Sequence, residues 1–161
     1  CDMFQFFKKK EAPVIKAPVN GKAVPLSEVS DPTFGEGILG KGAAVIPSDG
    51  KICAPADGEI VLLFDTLHAV SLKTDNGAEI LVHIGLDTVA LKGDGFTAHV
   101  KNGDKVHAGD LLITADLEKI KAAGYDTITP VIVCNTDEFA DVEASVGKEV
   151  SVGDTLLTLK K

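Results

Sequence analysis

The sequence contains no arginine, so all sixteen of its basic residues are lysines. Any handling of phosphate must therefore use histidine, lysine, hydroxyls or backbone amides in place of the bidentate guanidinium fork. No apolar run approaches the ~18 residues that a membrane-spanning helix needs. GxSxG, the phosphate-binding loop, the dinucleotide glycine signature and HExxH are all missing. The series Gly35, Gly37, Gly40 and Gly42 lacks the Lys and Ser or Thr of a phosphate loop and reads as loop-shaping. Cysteine is scarce: Cys1, Cys53 and Cys134 have no metal-ligand spacing. An odd number without a secretory signal indicates a reducing, cytoplasmic setting, with Cys53 and Cys134 expected as small core residues. Positive charge is also short, 16 residues against 24 acidic ones, giving a formal charge of -8 and a pI near 4.9. Such a surface repels phosphate backbones, which argues against nucleic acid and for a basic protein as partner.

What is present suits a soluble β protein. The 161 residues, 45% of them hydrophobic, are enough for one domain with a sizeable core. Residues 1–13 read as a flexible tail in which Met3, Phe4, Phe6 and Phe7 precede Lys8, Lys9 and Lys10. That tail is either a weak membrane-surface tether or a disordered remnant. Because position 1 is not Met, the chain is expected to be processed, tagged or cut from something longer, with Met3 a candidate start. From residue 14 to 161 a single domain is expected, made of short runs such as KAVPL, GAAVIP, KICAP, EIVLLF, LLITAD, PVIVCN and TLLTLK separated by Gly, Pro, Asn and Asp. This pattern predicts an all-β fold, an antiparallel sandwich or barrel, with at most one or two short helices. The clearest helix runs from Leu117 to Ala123, capped by Asp116 and closed by Gly124. Two internal echoes recur, KAPVNGKAV (16–24) with CAPADGEIV (53–61) and NGDKVHAGDLLIT (102–114) with VGKEVSVGDTLLT (146–158), as expected of repeated hairpin corners.

The stretch HAVSLKTDNGAEILVHIGLDTV (68–89) holds two histidines on one predicted hairpin, turned at Asp75, Asn76 and Gly77. A two-residue Asn76–Gly77 turn would set His68 diagonally beside His83. A four-residue loop from Thr74 to Gly77 would set the two directly opposite, and a three-residue loop would place them on opposite faces. Sharing a face, the pair suits phosphoryl chemistry. A neutral imidazole can attack phosphorus near neutral pH and be restored, while a second donates a hydrogen bond to the transferred group. Thr66 adds a hydroxyl, Asp87 a carboxylate at the rim, and Phe64, Leu81, Leu86 and Val89 an apolar wall against water. His99 and His107, in polar surroundings, read as surface residues. Zinc on His68 and His83, with a partner's carboxylate completing the shell, is a competing use of the pair.

The residues quoted so far carry a family likeness. LVHIGLDTVALKGDGF (81–96), the segment Thr66, Leu67, His68, Ala69, and DPTFGEGILGKGAAVIP (31–47) resemble the glucose-class enzyme IIA of the bacterial phosphoenolpyruvate-dependent sugar phosphotransferase system. The resemblance covers about residues 14–161. Thr33 stands where an apolar residue is usual and Leu67 where a polar one is. The resemblance implies that His83 is the phosphoacceptor, His68 its hydrogen-bonding helper and Thr66 the orienting neighbour. It further implies an apolar docking surface of Phe34, Ile38, Phe64, Leu81 and Val89 with Asp31 and Asp87 at its rim. No cofactor is required beyond the covalent phosphate. The implied partners are the phosphocarrier HPr and a sugar-specific IIB domain or IICB permease. A regulatory adaptor, binding transporters or metabolic enzymes according to phosphorylation, is the alternative. The APxxG and GDxVxxGDxL phrasing also resembles biotinyl and lipoyl carrier domains, but the 75–77 turn holds no lysine and the tetrapeptide they modify is absent.

Overall fold

The computed structural model describes residues 13–36 and 39–160, so the predicted tail before Pro13 and the predicted docking residue Ile38 lie outside the described residues. Among the described residues, fourteen strands are joined by two short helices and three single 3-10 turns. The fold is the expected antiparallel β architecture. One sheet has eight strands in the order β13 (Lys148–Val150), β2 (Gly21–Pro25), β3 (Lys41–Pro47), β11 (Thr129–Val133), β7 (Glu79–His83), β6 (Ala69–Thr74), β5 (Gly58–Leu63) and β9 (Lys105–Val106). Two three-stranded sheets complete it, β1 (Val14–Lys16) with β14 (Thr155–Lys160) and β12 (Asp141–Ala144), and β4 (Lys51–Cys53) with β10 (Leu111–Ala115) and β8 (Phe96–Ala98). Both helices are short: α1 is the single turn Pro32–Gly35, and α2 is Leu117–Ala122, whose Asp116 cap accepts from the Lys119 N–H as its sequence predicts.

Strand alternation assigns the two faces of the large sheet. Val70, Leu72, Ile80, Val82, Val131 and Val133 point to the main core, where they meet Ile15, Ile52, Leu112, Ile113, Leu156 and Leu157 of the small sheets. On the opposite face Ala44 and Ile132, with Leu81 alongside, support a second cluster of Val24, Leu26, Val29, Phe34, Leu86 and Ile128. β11 is buried along its whole length because both faces are covered, which is why TPVIV has no polar alternation.

The internal echoes are structural. Exchanging β13 with β9, β2 with β5, β3 with β6 and β11 with β7 leaves the strand order of the large sheet unchanged, and the two small sheets exchange likewise. The hydrogen bonds repeat with the strands. Lys16 N–H reaches Pro55 O at 2.7 Å and Cys53 N–H reaches Pro18 O at 2.6 Å; Ala17 N–H reaches Asp154 O and Ala54 N–H reaches Asp110 O, both at 2.7 Å. Asn20 Oδ1 accepts from Val152 N–H at 2.7 Å where Asp57 Oδ1 accepts from Ala108 N–H at 2.8 Å. The Lys16–Pro55 and Cys53–Pro18 bonds cross between the halves, and the others repeat within each half. The approximate two-fold axis passes between Val131 and Val82, which pair with each other.

Two sequence expectations are corrected. The ladder runs from Ala69 opposite His83 to Lys73 opposite Glu79, and Thr74 N–H continues it to Ala78 O at 2.8 Å. The hairpin loop is therefore three residues, Asp75–Gly77, neither the two-residue nor the four-residue loop that the shared face requires. Gly77 takes φ +91°, and Asn135 holds the loop from outside, accepting from Glu79 N–H at 2.8 Å and donating to Gly77 O at 2.9 Å. Cys134 is exposed, because it lies one residue past the end of β11, whereas Cys53 is buried as expected.

Asn20 also donates to Asp49 Oδ2 at 3.0 Å and is partly buried, whereas its counterpart Asp57 is exposed. Asn20→Ala is expected to cost about 1–2 kcal/mol in chemical denaturation and Asp57→Ala clearly less, since water can replace an exposed acceptor.

Candidate phosphoryl-transfer site

The duplicated halves differ in the connections that leave them. Between β2 and β3 the chain makes a long excursion through the 3-10 turn Leu26–Glu28 and α1, while between β5 and β6 it needs only Phe64 to His68. The histidines lie where these unequal connections meet. Phe34, from the long one, tilts its ring against His83 with centroids 4.8 Å apart; Phe64, from the short one, meets His68 edge-on at 5.3 Å. The two imidazoles stand 5.0 Å apart at an interplanar angle of 77°.

They meet despite the three-residue loop. In this register regular alternation would send the His68 side chain to the core side, opposite that of His83. The β6 ladder stops at Ala69, however, and Leu67 adopts a left-handed φ of +58°, which takes His68 out of the strand's alternation. Its backbone stays anchored, because His68 O accepts from Ile84 N–H at 2.6 Å, so the side chain turns while the main chain is held.

Each ring is oriented through Nδ1. His83 Nδ1 lies 2.7 Å from the Gly85 carbonyl oxygen, which can only accept, so the proton sits on Nδ1 and the Nε2 lone pair is free. His68 Nδ1 lies 2.5 Å from Thr66 Oγ1. Burial, then the neighbouring His83, pushes the His68 pKa down to about 4, so its ring is neutral at pH 7. Burial also holds His83 below the ordinary imidazole range, opposed by the Gly85 carbonyl and by the carboxylates of Asp31 and Asp87. Where Thr66 donates its hydroxyl proton to His68 Nδ1, the neutral His68 ring carries its own proton on Nε2. The pair then offers one nucleophilic nitrogen and one donor.

The family model described as phosphoenolpyruvate-dependent sugar phosphotransferase system, EIIA 1, matches residues 13–139. The chain belongs to this family. It is 51% identical over 148 residues to the glucose-specific EIIA component of Halalkalibacterium halodurans, an alignment covering 91% of this chain and 86% of that protein. It is 49% identical over 146 residues to the β-glucoside-specific EIIBCA component of Bacillus subtilis, covering 91% of this chain but 24% of that longer protein. Among solved structures, glucose permease IIA from Mycoplasma capricolum superposes with a TM-score of 0.86 at 36% identity, covering 94% of this chain and 98% of that one.

Around the two rings of this EIIA chain, the residues singled out by sequence fall into three groups. Thr66, His68 and His83 form the contact set already described. Phe34 is buried, Phe64 and Leu81 are half-buried, and Val89 is half exposed, so the apolar surface slopes from under His83 outward. Asp31 caps α1 by accepting from Thr33 N–H at 2.9 Å, and Asp87, exposed and at φ +60°, stands where the chain turns beyond Gly85. His99 and His107 are exposed and take no part. Sequence reasoning missed Leu62, an exposed apolar residue. Leu62 lies in one cross-sheet row with Ser71 and Leu81, on the face that bears His83, and the bulge between Ile60 and Leu62 hid this from any alternation pattern. No set of three or more His, Cys, Asp or Glu side chains able to hold a metal occurs among the described residues. Zinc on the histidine pair would need its other ligands from a partner, and no described helix is long and apolar enough to cross a membrane.

The neutral pair makes stability pH-dependent with a defined sign. His68 binds a proton in the unfolded chain below about pH 6.5 but in the folded one only near 4, so its contribution is complete above 6.5 and lost as the pH falls toward 4. Unfolding free energy is expected to drop by about 2 kcal/mol from this ring between pH 7 and 5, with His83 adding in the same direction. Denaturation at both pH values, with His68→Gln showing a smaller drop, checks it, and an imidazole NMR titration should place the His68 midpoint near 4.

Proposed function

We propose that this EIIA chain is a cytoplasmic phosphoryl carrier. His83 Nε2 takes a phosphoryl group from phosphorylated HPr and passes it to a sugar-specific IIB domain, and His68 steadies the group in passage. The observation that carries this reading is the His83 Nδ1 to Gly85 carbonyl bond, which leaves Nε2 unprotonated beside a second neutral imidazole in an arginine-free site. The name of the B. subtilis EIIBCA relative supports the choice of partner, since that protein joins B, C and A components under one designation.

In the accepting step the bond from phosphorus to the donor imidazole breaks as the bond to His83 Nε2 forms. The ring of His83 gains positive character as its lone pair is committed, and that charge is met by the Gly85 carbonyl and by Asp31 and Asp87. His68 Nε2–H donates to a phosphoryl oxygen, while Thr66 keeps the His68 Nδ1 lone pair occupied. Exchange between two histidines is nearly balanced in energy, so the protein's contribution is placement and charge stabilisation in a dry interface. The half-exposed Val89, Phe64 and Leu81 supply that interface, and the acidic rim selects a basic partner.

His83→Gln is expected to abolish labelling by phospho-HPr generated from phosphoenolpyruvate and enzyme I. His68→Gln should still accept the label on His83 but pass it to IIB on the order of 10²-fold more slowly, the usual loss for one hydrogen-bond donor to a transition-state oxygen. Full labelling of the first variant, or unchanged onward transfer in the second, would refute the assignment.

A further inference from the structure

Thr88 is a fully buried polar residue with no place in the chemistry above. Its hydroxyl donates to the Ile84 carbonyl oxygen at 2.5 Å. Ile84 is the residue that joins the two histidines, because its N–H donates to the His68 carbonyl at 2.6 Å and it directly follows His83. Three successive peptide planes after His83 are thereby pinned. The first is held by Ile84 N–H on His68 O, the second by Thr88 Oγ1 on Ile84 O, and the third by Leu86 N–H on Asp126 O at 3.0 Å.

The middle plane is the weak member. It is followed by Gly85 at φ +76°, the residue type best able to absorb a peptide flip, since it tolerates both signs of φ. Gly85 cannot be replaced to stiffen it, because a Cβ there would lie 2.6 Å from the Asp126 carbonyl oxygen and 2.7 Å from Thr88 Cγ2. The Gly85 carbonyl that meets His83 Nδ1 lies in the third plane, and its aim depends on the turn that enters it through the middle plane, which must be latched from elsewhere. Among the described residues, Thr88 supplies the one side-chain bond that holds this plane.

We propose that Thr88 is a positioning residue: its buried hydroxyl latches the Ile84–Gly85 peptide plane, and so fixes the tautomer of His83 and its placement against His68. The kinetic part of this inference rests on the phosphoryl-carrier reading; the tautomer part does not. Thr88→Val removes the hydroxyl and keeps the shape, whereas Thr88→Ser keeps the hydroxyl and removes the methyl that packs near Gly85.

Long-range proton–nitrogen NMR of the imidazoles at pH 7, with transfer from phospho-HPr measured alongside, tests the proposal. The natural protein is expected to show His83 as the Nδ1–H tautomer alone. Thr88→Val should show a mixture of tautomers and accept phosphate on the order of 10- to 100-fold more slowly, the scale of loss that follows from small misplacement of reacting groups. Thr88→Ser should restore both readouts. A folded Thr88→Val with an unchanged tautomer overturns the latch, and so does a folded Thr88→Ser that behaves like the valine variant. If the valine variant does not fold, the serine variant decides together with the Thr88 hydroxyl proton of the natural protein. A slowly exchanging proton close to Ile84 and Gly85 supports the latch, and a freely exchanging one overturns it. Should His83 refuse phosphate altogether while the tautomer results come out as expected, the carrier reading falls and the latch stands.

Discussion

The hydrogen bond from His83 Nδ1 to the Gly85 carbonyl is the constraint on which the rest of the site depends. A neutral imidazole has one proton and two nitrogens, and the identity of the nucleophile is decided by where that proton rests. An acceptor-only partner two residues along the chain settles the matter without a charged group. This requires a tight left-handed turn at Gly85, so the chain beyond β7 must fold back at once, and Asp126 and Thr88 crowd against the turn from two sides. The burial of Leu86 in the second apolar cluster then ties the turn to α1, which brings Phe34 onto the His83 ring.

The duplicated architecture explains why such a site is available. Antiparallel pairing of β7 with β11 puts the approximate two-fold axis at Val82 and Val131 and makes Ile132 the counterpart of His83. The two positions are neighbours on one face of the sheet but have opposite fates. Ile132 is buried under the long β2–β3 excursion and anchors the cluster there, while His83 stands at its margin with one side open. One half of the duplication supplies a floor and the other half the two histidines.

Much of this was legible in the sequence, for identifiable reasons. Strands such as GAAVIP and TLLTLK announce themselves by β-branched and apolar runs between turn formers, and α2 by its Asp116 cap; these signals are local. The repeat was visible because glycine and proline fix the same corners twice. The hairpin register was not legible, since Asp75–Asn76–Gly77 suits loops of more than one length and the choice is made by Asn135, about sixty residues away. The orientation of His68 was hidden as well. It depends on a leucine at φ +58°, a conformation that residue type seldom adopts and sequence does not signal. Exposure of Cys134 follows from one residue's difference in where β11 ends, a boundary that propensity locates poorly.

The absence of arginine acquires a physical meaning once the geometry is known. In the proposed function a phosphoryl group brings roughly -1.5 to -2 charges onto a protein that is already at a formal -8 and into a patch rimmed by Asp31 and Asp87. A guanidinium fork would neutralise it, and a group held that well would be slow to leave. Two neutral imidazoles, a threonine hydroxyl and a backbone carbonyl give direction with little compensating charge. For a carrier the useful property is equal readiness to accept and to surrender, because binding that is stronger in the resting phosphorylated state than in the transition state raises the barrier to the next transfer. In the proposed function, the site is therefore strong in orientation and deliberately weak in charge, and the remaining stabilisation comes from whichever basic partner is docked.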